Sequence, residues 1–210
     1  MIKVIRKFIR LMLGFILCAS STIFMLNSNL GLSPWDVFHQ GISNVTGLTI
    51  GEANILSSII VILIGILLKQ RIGLGTLLNI IMIGKFVDII NNSNLIPIAN
   101  NLWMGIVMMI IGMFVMGYGC YLYIGCELGC GPRDGVMVGL SSKLNKPIKI
   151  VRGSIEVFVL IIGIFLGGKF GIGTLISAFA IGYCIQIVFK LRNFDAVSLN
   201  HKSILDTIKL

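Results

Sequence analysis

Long apolar runs alternate with short polar ones along the whole chain. Six runs, at about 11–30, 48–68, 72–90, 103–124, 148–166 and 170–189, approach the roughly 20 apolar residues that a helix needs to cross the hydrocarbon of a bilayer. The first run follows Lys3, Arg6, Lys7 and Arg10 and leads to Ala19-Ser20-Ser21, a pattern shared with secretory signal peptides. Leu17 before Cys18 is too bulky for a lipoprotein box. The pattern predicts an all-α polytopic membrane protein of six spans.

A second pattern lies on top of the first. Shifting the chain by 98 residues against itself gives a gapless match. Leu30-Gly31-Leu32-Ser33-Pro34-Trp35-Asp36 falls on Leu128-Gly129-Cys130-Gly131-Pro132-Arg133-Asp134, and Gly73-Leu74-Gly75-Thr76-Leu77 falls on Gly171-Ile172-Gly173-Thr174-Leu175. Glycine is the fair test, because apolar composition alone aligns any two spans. Residues 31–90 hold eight glycines, and six of them land on glycine; chance at this chain's glycine content gives about one. Gly14 also falls on Gly112, so the first run has a partner deep in the chain that no signal peptide would have. Three spans per copy is an odd number, so the second copy enters the bilayer from the opposite side. The predicted organisation is a first three-helix repeat at 1–90, an external linker at 91–102, a second, inverted repeat at 103–190, and a cytoplasmic tail at 191–210.

Composition agrees and narrows the function classes. Charged residues make up 12% of the 210 and hydrophobic ones 56%, against about 25% charged in soluble domains. That excludes a soluble enzyme, a nucleic-acid module and a disordered tail. The net charge of +9 does not reverse this, since the basic residues fall between the apolar runs and not on one face. With the N-terminus inside, 15 of the 17 Lys and Arg lie in inner segments, and Lys169 alone lies outside. The asymmetry places both termini in the cytoplasm. No nucleic-acid partner is expected. Cys18, Cys120, Cys126, Cys130 and Cys184 contain no CxxC pair, so no metal or cofactor is expected, and the cysteines read as small residues at helix interfaces.

Candidate chemistry sits in the repeated motif. Ser33-Pro34-Trp35-Asp36 reads as a helix start: Ser33 at the N-cap, Pro34 at the first turn, and Asp36 completing a capping box. The helix runs to about Thr46 and stops at Gly47, too short to span, so it is re-entrant or interfacial. Trp35, Phe38, Ile42 and Val45 share one of its faces. Gly131-Pro132-Arg133-Asp134 repeats the design to about Leu144. Two such helix starts favour an anion or carbonyl group, strengthened by Arg133 in the second copy; the competing role is plain capping. Glu156, midway along the fifth run, is a charge inside a span and so a functional candidate, or a partner for Arg152 one turn earlier. Lys85 and Asp88 are placed to pair on one helix face. His39 reads as a bystander. The Gly-x-Gly-Thr motifs read as close helix crossings. The candidate ligand-binding residues are Ser33, Pro34, Asp36, Gly131, Pro132, Arg133, Asp134 and Glu156.

Leu30 to Val37, Gly47-Leu48-Thr49-Ile50-Gly51 and Gly129 to Gly135 resemble the YczE-type integral membrane proteins of the broader YyaS/YitT set, over nearly the whole chain up to about Phe189. The resemblance implies a bacterial multi-pass membrane protein and supplies neither substrate nor catalytic residues. Inverted repeats with sites at the midplane are common in transporters, so a transporter of a small, anionic solute is the leading expectation. A membrane accessory protein that binds a partner is the alternative. No nucleophile–base pair or HExxH set points to an enzyme. Small Gly-rich faces are compatible with a homo-dimer.

Overall fold

The computed structural model describes residues 2–68, 72–129, 131–146 and 148–195, without the side chains of 2–4, 134, 138, 148 and 149. The Asp134 side chain, Cys130, Lys69, Arg71, His201 and the tail beyond 195 therefore lie outside the described residues. Among the described residues there are eight helices and no strand: α1 (Ile2–Asn27), α2 (Pro34–Thr46), α3 (Ile50–Leu67), α4 (Leu74–Ser93), α5 (Leu102–Ile124), α6 (Pro132–Leu144), α7 (Ile148–Phe165) and α8 (Ile172–Leu191). The bounds of α6, α7 and α8 are those of α2, α3 and α4 moved by 98 residues.

Five of these helices, α1, α3, α4, α5 and α8, are long and apolar enough to cross a membrane. The fifth apolar run forms α7, which has the length but carries Lys149, Arg152 and Glu156. Burial is reversed relative to a water-soluble protein. Leu67, Phe165 and Phe179 are 81%, 86% and 75% exposed, while Ser21, Asp36, His39, Ser57 and Ser177 are buried. Lipid is the solvent that suits the first group, and internal hydrogen bonds suit the second.

Local sequence sets the helix ends. Ser33 caps α2, its hydroxyl oxygen accepting from the Asp36 N–H at 3.4 Å. Gly47 ends the helix with φ 74°, a left-handed turn that glycine adopts without steric cost. The capping box forms only in part. Asp36 Oδ2 accepts from the Ser33 hydroxyl at 2.6 Å and does not turn back to the Ser33 backbone. At α6, Gly131 holds the cap conformation of Ser33, with φ −61° and ψ 154° against −63° and 155°, without a side chain to donate or accept. The full box occurs instead at Thr49 and Glu52, opening α3.

α1 and α5 form the spine and run antiparallel: Gly14 lies against Gly119, Ser21 against Gly112 and Ser28 against Gly105. Small residues let the backbones meet. The Ser21 hydroxyl donates to the Gly112 carbonyl at 2.7 Å, and a Cβ on Gly119 would stand 2.9 Å from the Gly14 carbonyl oxygen. The two repeated motifs turn out to be the two sides of one joint, made twice. The Leu30 carbonyl accepts from the Gly173 N–H, and the Leu128 carbonyl accepts from the Gly75 N–H, both at 2.7 Å. Gly31 and Gly129 make these turns at φ 120° and 116°. Each short helix likewise packs chiefly on the other half, α2 on α7 and α6 on α3.

One pairing breaks the correspondence. α3 packs along α4, but among the described residues α7 has no comparable contact with α8. A Cβ on Gly84 of α4 would meet the Gly51 carbonyl at 2.5 Å, whereas Gly182, its counterpart on α8, has nothing within 4 Å. The first contact is held by Asp88, whose carboxylate accepts from the Thr49 hydroxyl at 2.6 Å and the Gly51 N–H at 2.9 Å. Asp88 thus clasps α3 to α4 and is not a partner of Lys85. The positions matching Thr49 and Asp88 are Pro147 and Gln186, which cannot build the same clasp.

Candidate functional site

A cavity of about 560 Å³, within the size range of small-molecule sites, has both α7 and α8 in its wall. Its wall contains Ser33, Pro34, Asp36, Gly131, Pro132, Arg133 and Glu156. Both capped helix starts therefore meet at one space, although Leu30 and Leu128 lie near opposite ends of the α1–α5 pair. Asp134 sits in the first turn of α6, with its side chain undescribed. Asn54 and Ser58 of α3, Asn79 of α4, Ser177 of α8 and Tyr123 of α5 add polar groups, and Met116, Ile83 and Ile155 add apolar wall. Ile124 and Phe189, at the ends of α5 and α8 near the chain termini, and half-exposed Arg152 also line it.

The wall between the halves is a chain of polar contacts. The Ser33 hydroxyl donates to Asp36. Asp36 Oδ1 lies 3.5 Å from His39 Nδ1, and His39 Nε2 lies 3.2 Å from an Arg133 guanidinium nitrogen. Arg133 is stacked over the Trp35 ring at 4.5 Å from its centroid, a cation–π contact worth about 1 kcal/mol. The polar face of α2, Asp36, His39 and Gln40, is the buried one, and the aromatic face of Trp35 and Phe38 is half-buried. His39 is thus no bystander: it joins α2 to α6. Its signal in the sequence was its position, three residues after Asp36 and so on the same helix face. What no local pattern holds is that Arg133, 94 residues away, completes the contact.

Glu156 pairs with Arg152, whose Nε donates to it at 3.0 Å. The pair lies on the cavity wall, so the two charges satisfy one another while remaining within reach of a solute. At the end of the bundle near the N-terminus, Lys7 meets Glu127 at 3.7 Å and Arg10 donates to the Tyr121 carbonyl at 3.3 Å. Burial pushes the nearby Cys126 thiol up, outweighing the Arg10 and Lys7 charges beside it, so it stays protonated and poorly nucleophilic.

Comparison with known proteins agrees with a membrane protein and names no activity. A family model described as a family of unknown function, DUF6198, matches residues 5–190. The chain is 42% identical over 164 residues to an uncharacterized protein of Haemophilus influenzae, covering 78% of this chain and 74% of that one. It is 32% identical over 158 residues to the uncharacterized membrane protein YczE of Bacillus subtilis, covering 75% and 73%. It is 24% identical over 196 residues to the uncharacterized protein YyaS of the same organism, covering 90% and 96%. No solved structure matches.

Proposed function

We propose that this chain, which belongs to the DUF6198 family, is a small-solute transporter of the cell membrane whose site is the cavity between its two halves. The reading takes 1–90 and 103–190 as inverted repeats of three spans, joined outside the cell at 91–102, with both termini in the cytoplasm. α7 counts as the sixth span because its Arg152 and Glu156 pair with one another at 3.0 Å on a cavity wall, where spans tolerate charge. The basic residues at the end of the bundle near the N-terminus, Lys7 and Arg10 among them, make that side cytoplasmic.

The observation that carries the reading is the break in correspondence between α3–α4, closed, and α7–α8, parted. Two similar halves held in different forms have a second state of comparable energy with the forms exchanged. That exchange would shut the cavity on the side of the termini and open it on the other. Ser33, Pro34, Asp36, Gly131, Pro132, Arg133, Asp134 and Glu156 are the proposed solute contacts. Two helix starts and Arg133 favour a small solute with an anionic or carbonyl group.

Uptake of labelled acetate, phosphate and glycine into vesicles holding the purified protein tests this. The expected result is saturable uptake of at least one solute, reduced at least about tenfold by Arg133→Gln with helicity unchanged. If none of the three enters faster than into protein-free vesicles, the reading fails, and a membrane accessory protein that moves nothing takes its place.

A further inference from the structure

His39 is fully buried, and its two ring nitrogens face opposite charges. Nε2 stands 3.2 Å from the Arg133 guanidinium. A guanidinium has only N–H donors and keeps its proton, so Nε2 is the acceptor and the imidazole is neutral, with its hydrogen on Nδ1. Nδ1 lies 3.5 Å from Asp36 Oδ1 but makes no hydrogen bond to it. A neutral imidazole therefore sits between a carboxylate and a guanidinium, with one contact made and one unmade. Among the described side chains, the charged groups at this point are Asp36 on its own helix and Arg133 on α6, next to Asp134, whose side chain is not described. On α7, Arg152 and Glu156 of the same cavity neutralise one another; α3 brings Asn54 and Ser58, and α8 brings Ser177.

We propose that His39 is a proton-binding site, and that the proton it takes releases Arg133 into the cavity to hold a small monoanion such as a carboxylate. The proton adds to the Nε2 lone pair and forms a new N–H bond. Nε2 then has no acceptor to offer, and imidazolium and guanidinium repel one another. The Nδ1–H closes on Asp36, and the Arg133 N–H groups turn to the cavity that Arg133 already lines. Protonation adds one positive charge beside Arg133, and an added monoanion offsets it. An added charge is costly beside the buried Asp36 and His39, so proton and anion bind together, each raising the affinity for the other. Coupling to transport rests on the function proposed above; the proton site does not.

Trp35 reports on this directly, since its ring lies 6.4 Å from the His39 ring and under Arg133. With Trp103→Phe, Trp35 is the only tryptophan of the chain. Its emission is expected to show a transition on acidification. The transition should vanish in His39→Gln, which keeps a hydrogen-bonding side chain but cannot titrate. It should move to higher pH in Arg133→Gln, where the repelling cation is gone. Acetate or inorganic phosphate should strengthen proton binding at least about fivefold in the wild type and not in Arg133→Gln. In His201→Asn protein, where His39 is the sole histidine, imidazole ¹⁵N shifts should show the hydrogen on Nδ1 at high pH. Absence of a transition, its survival in His39→Gln, or a hydrogen on Nε2 overturns the proton site. Indifference to both anions overturns the coupling. A His39-dependent transition with no solute uptake keeps the proton site and removes the transport reading.

Discussion

Gly31 and Gly129 carry the joint between the halves, and their demands can be separated. Both have φ near 120°, and a Cβ on either would lie 2.5 Å from a threonine Oγ1, that of Thr174 or Thr76. Alanine at either position meets both a backbone penalty of about 1–3 kcal/mol and a steric one. Gly47, with φ 74° and nothing within 4 Å, meets only the first, about 1 kcal/mol. Thermal unfolding in detergent should therefore rank Gly31→Ala and Gly129→Ala as similar to one another and well below Gly47→Ala. Equal melting of all three would show that the joint does not hold the halves. The glycine positions were plain in the repeat, because a shared backbone demand keeps glycine where side chains drift. That Leu-Gly and Gly-x-Gly-Thr serve one another was not, since each motif meets its partner only across the fold.

At the scale of elements, the clasp on α3 is the counterpart of the gap beside α7. Asp88 accepts two hydrogen bonds at the start of α3, where a carboxylate also meets the positive end of the helix. Asp88→Asn keeps the size but loses the charge, so these bonds weaken by about 1–3 kcal/mol. Amide hydrogen exchange at Gly51 to Ala53 should speed up by at least about fivefold, while the start of α7 is unchanged. Gln186→Ala should alter neither. An unaltered exchange rate in Asp88→Asn would mean that packing of Gly51 on Gly84 closes this pair without the clasp. Sequence spacing pointed to Lys85 as the partner of Asp88, since residues three apart share a helix face. The tertiary neighbour won because the Thr49 hydroxyl and the Gly51 N–H need acceptors at a helix start, whereas a lysine stem reaches water by itself.

For the whole molecule, the proposed transport cycle has the cavity open on the side of the termini in this form. Cys120 and Cys18 both line the cavity, Cys120 partly buried and Cys18 buried; Cys126 and Cys184 are buried, and Cys126 is further held in its unreactive thiol form. In Cys18→Ser/Cys130→Ser protein, a charged, membrane-impermeant methanethiosulfonate should modify Cys120 from the side of the termini at least about tenfold faster than from the other. Equal rates from both sides would contradict a cavity with a single mouth, and a faster rate from the far side would reverse its orientation.

What the sequence by itself determined is periodic and local. Apolar run length, the 98-residue repeat, the caps at Ser33 and Gly47 and the two helix starts follow from side-chain chemistry and backbone freedom within a few residues of each position. It also identified a helix start in each half whose residues share one cavity wall. The tertiary structure alone decided which half each short helix joins, that α7 and α8 part, and that His39 stands between Asp36 and Arg133. These depend on contacts between residues about a hundred positions apart, and their energy exists only when both partners have been brought out of water and lipid together.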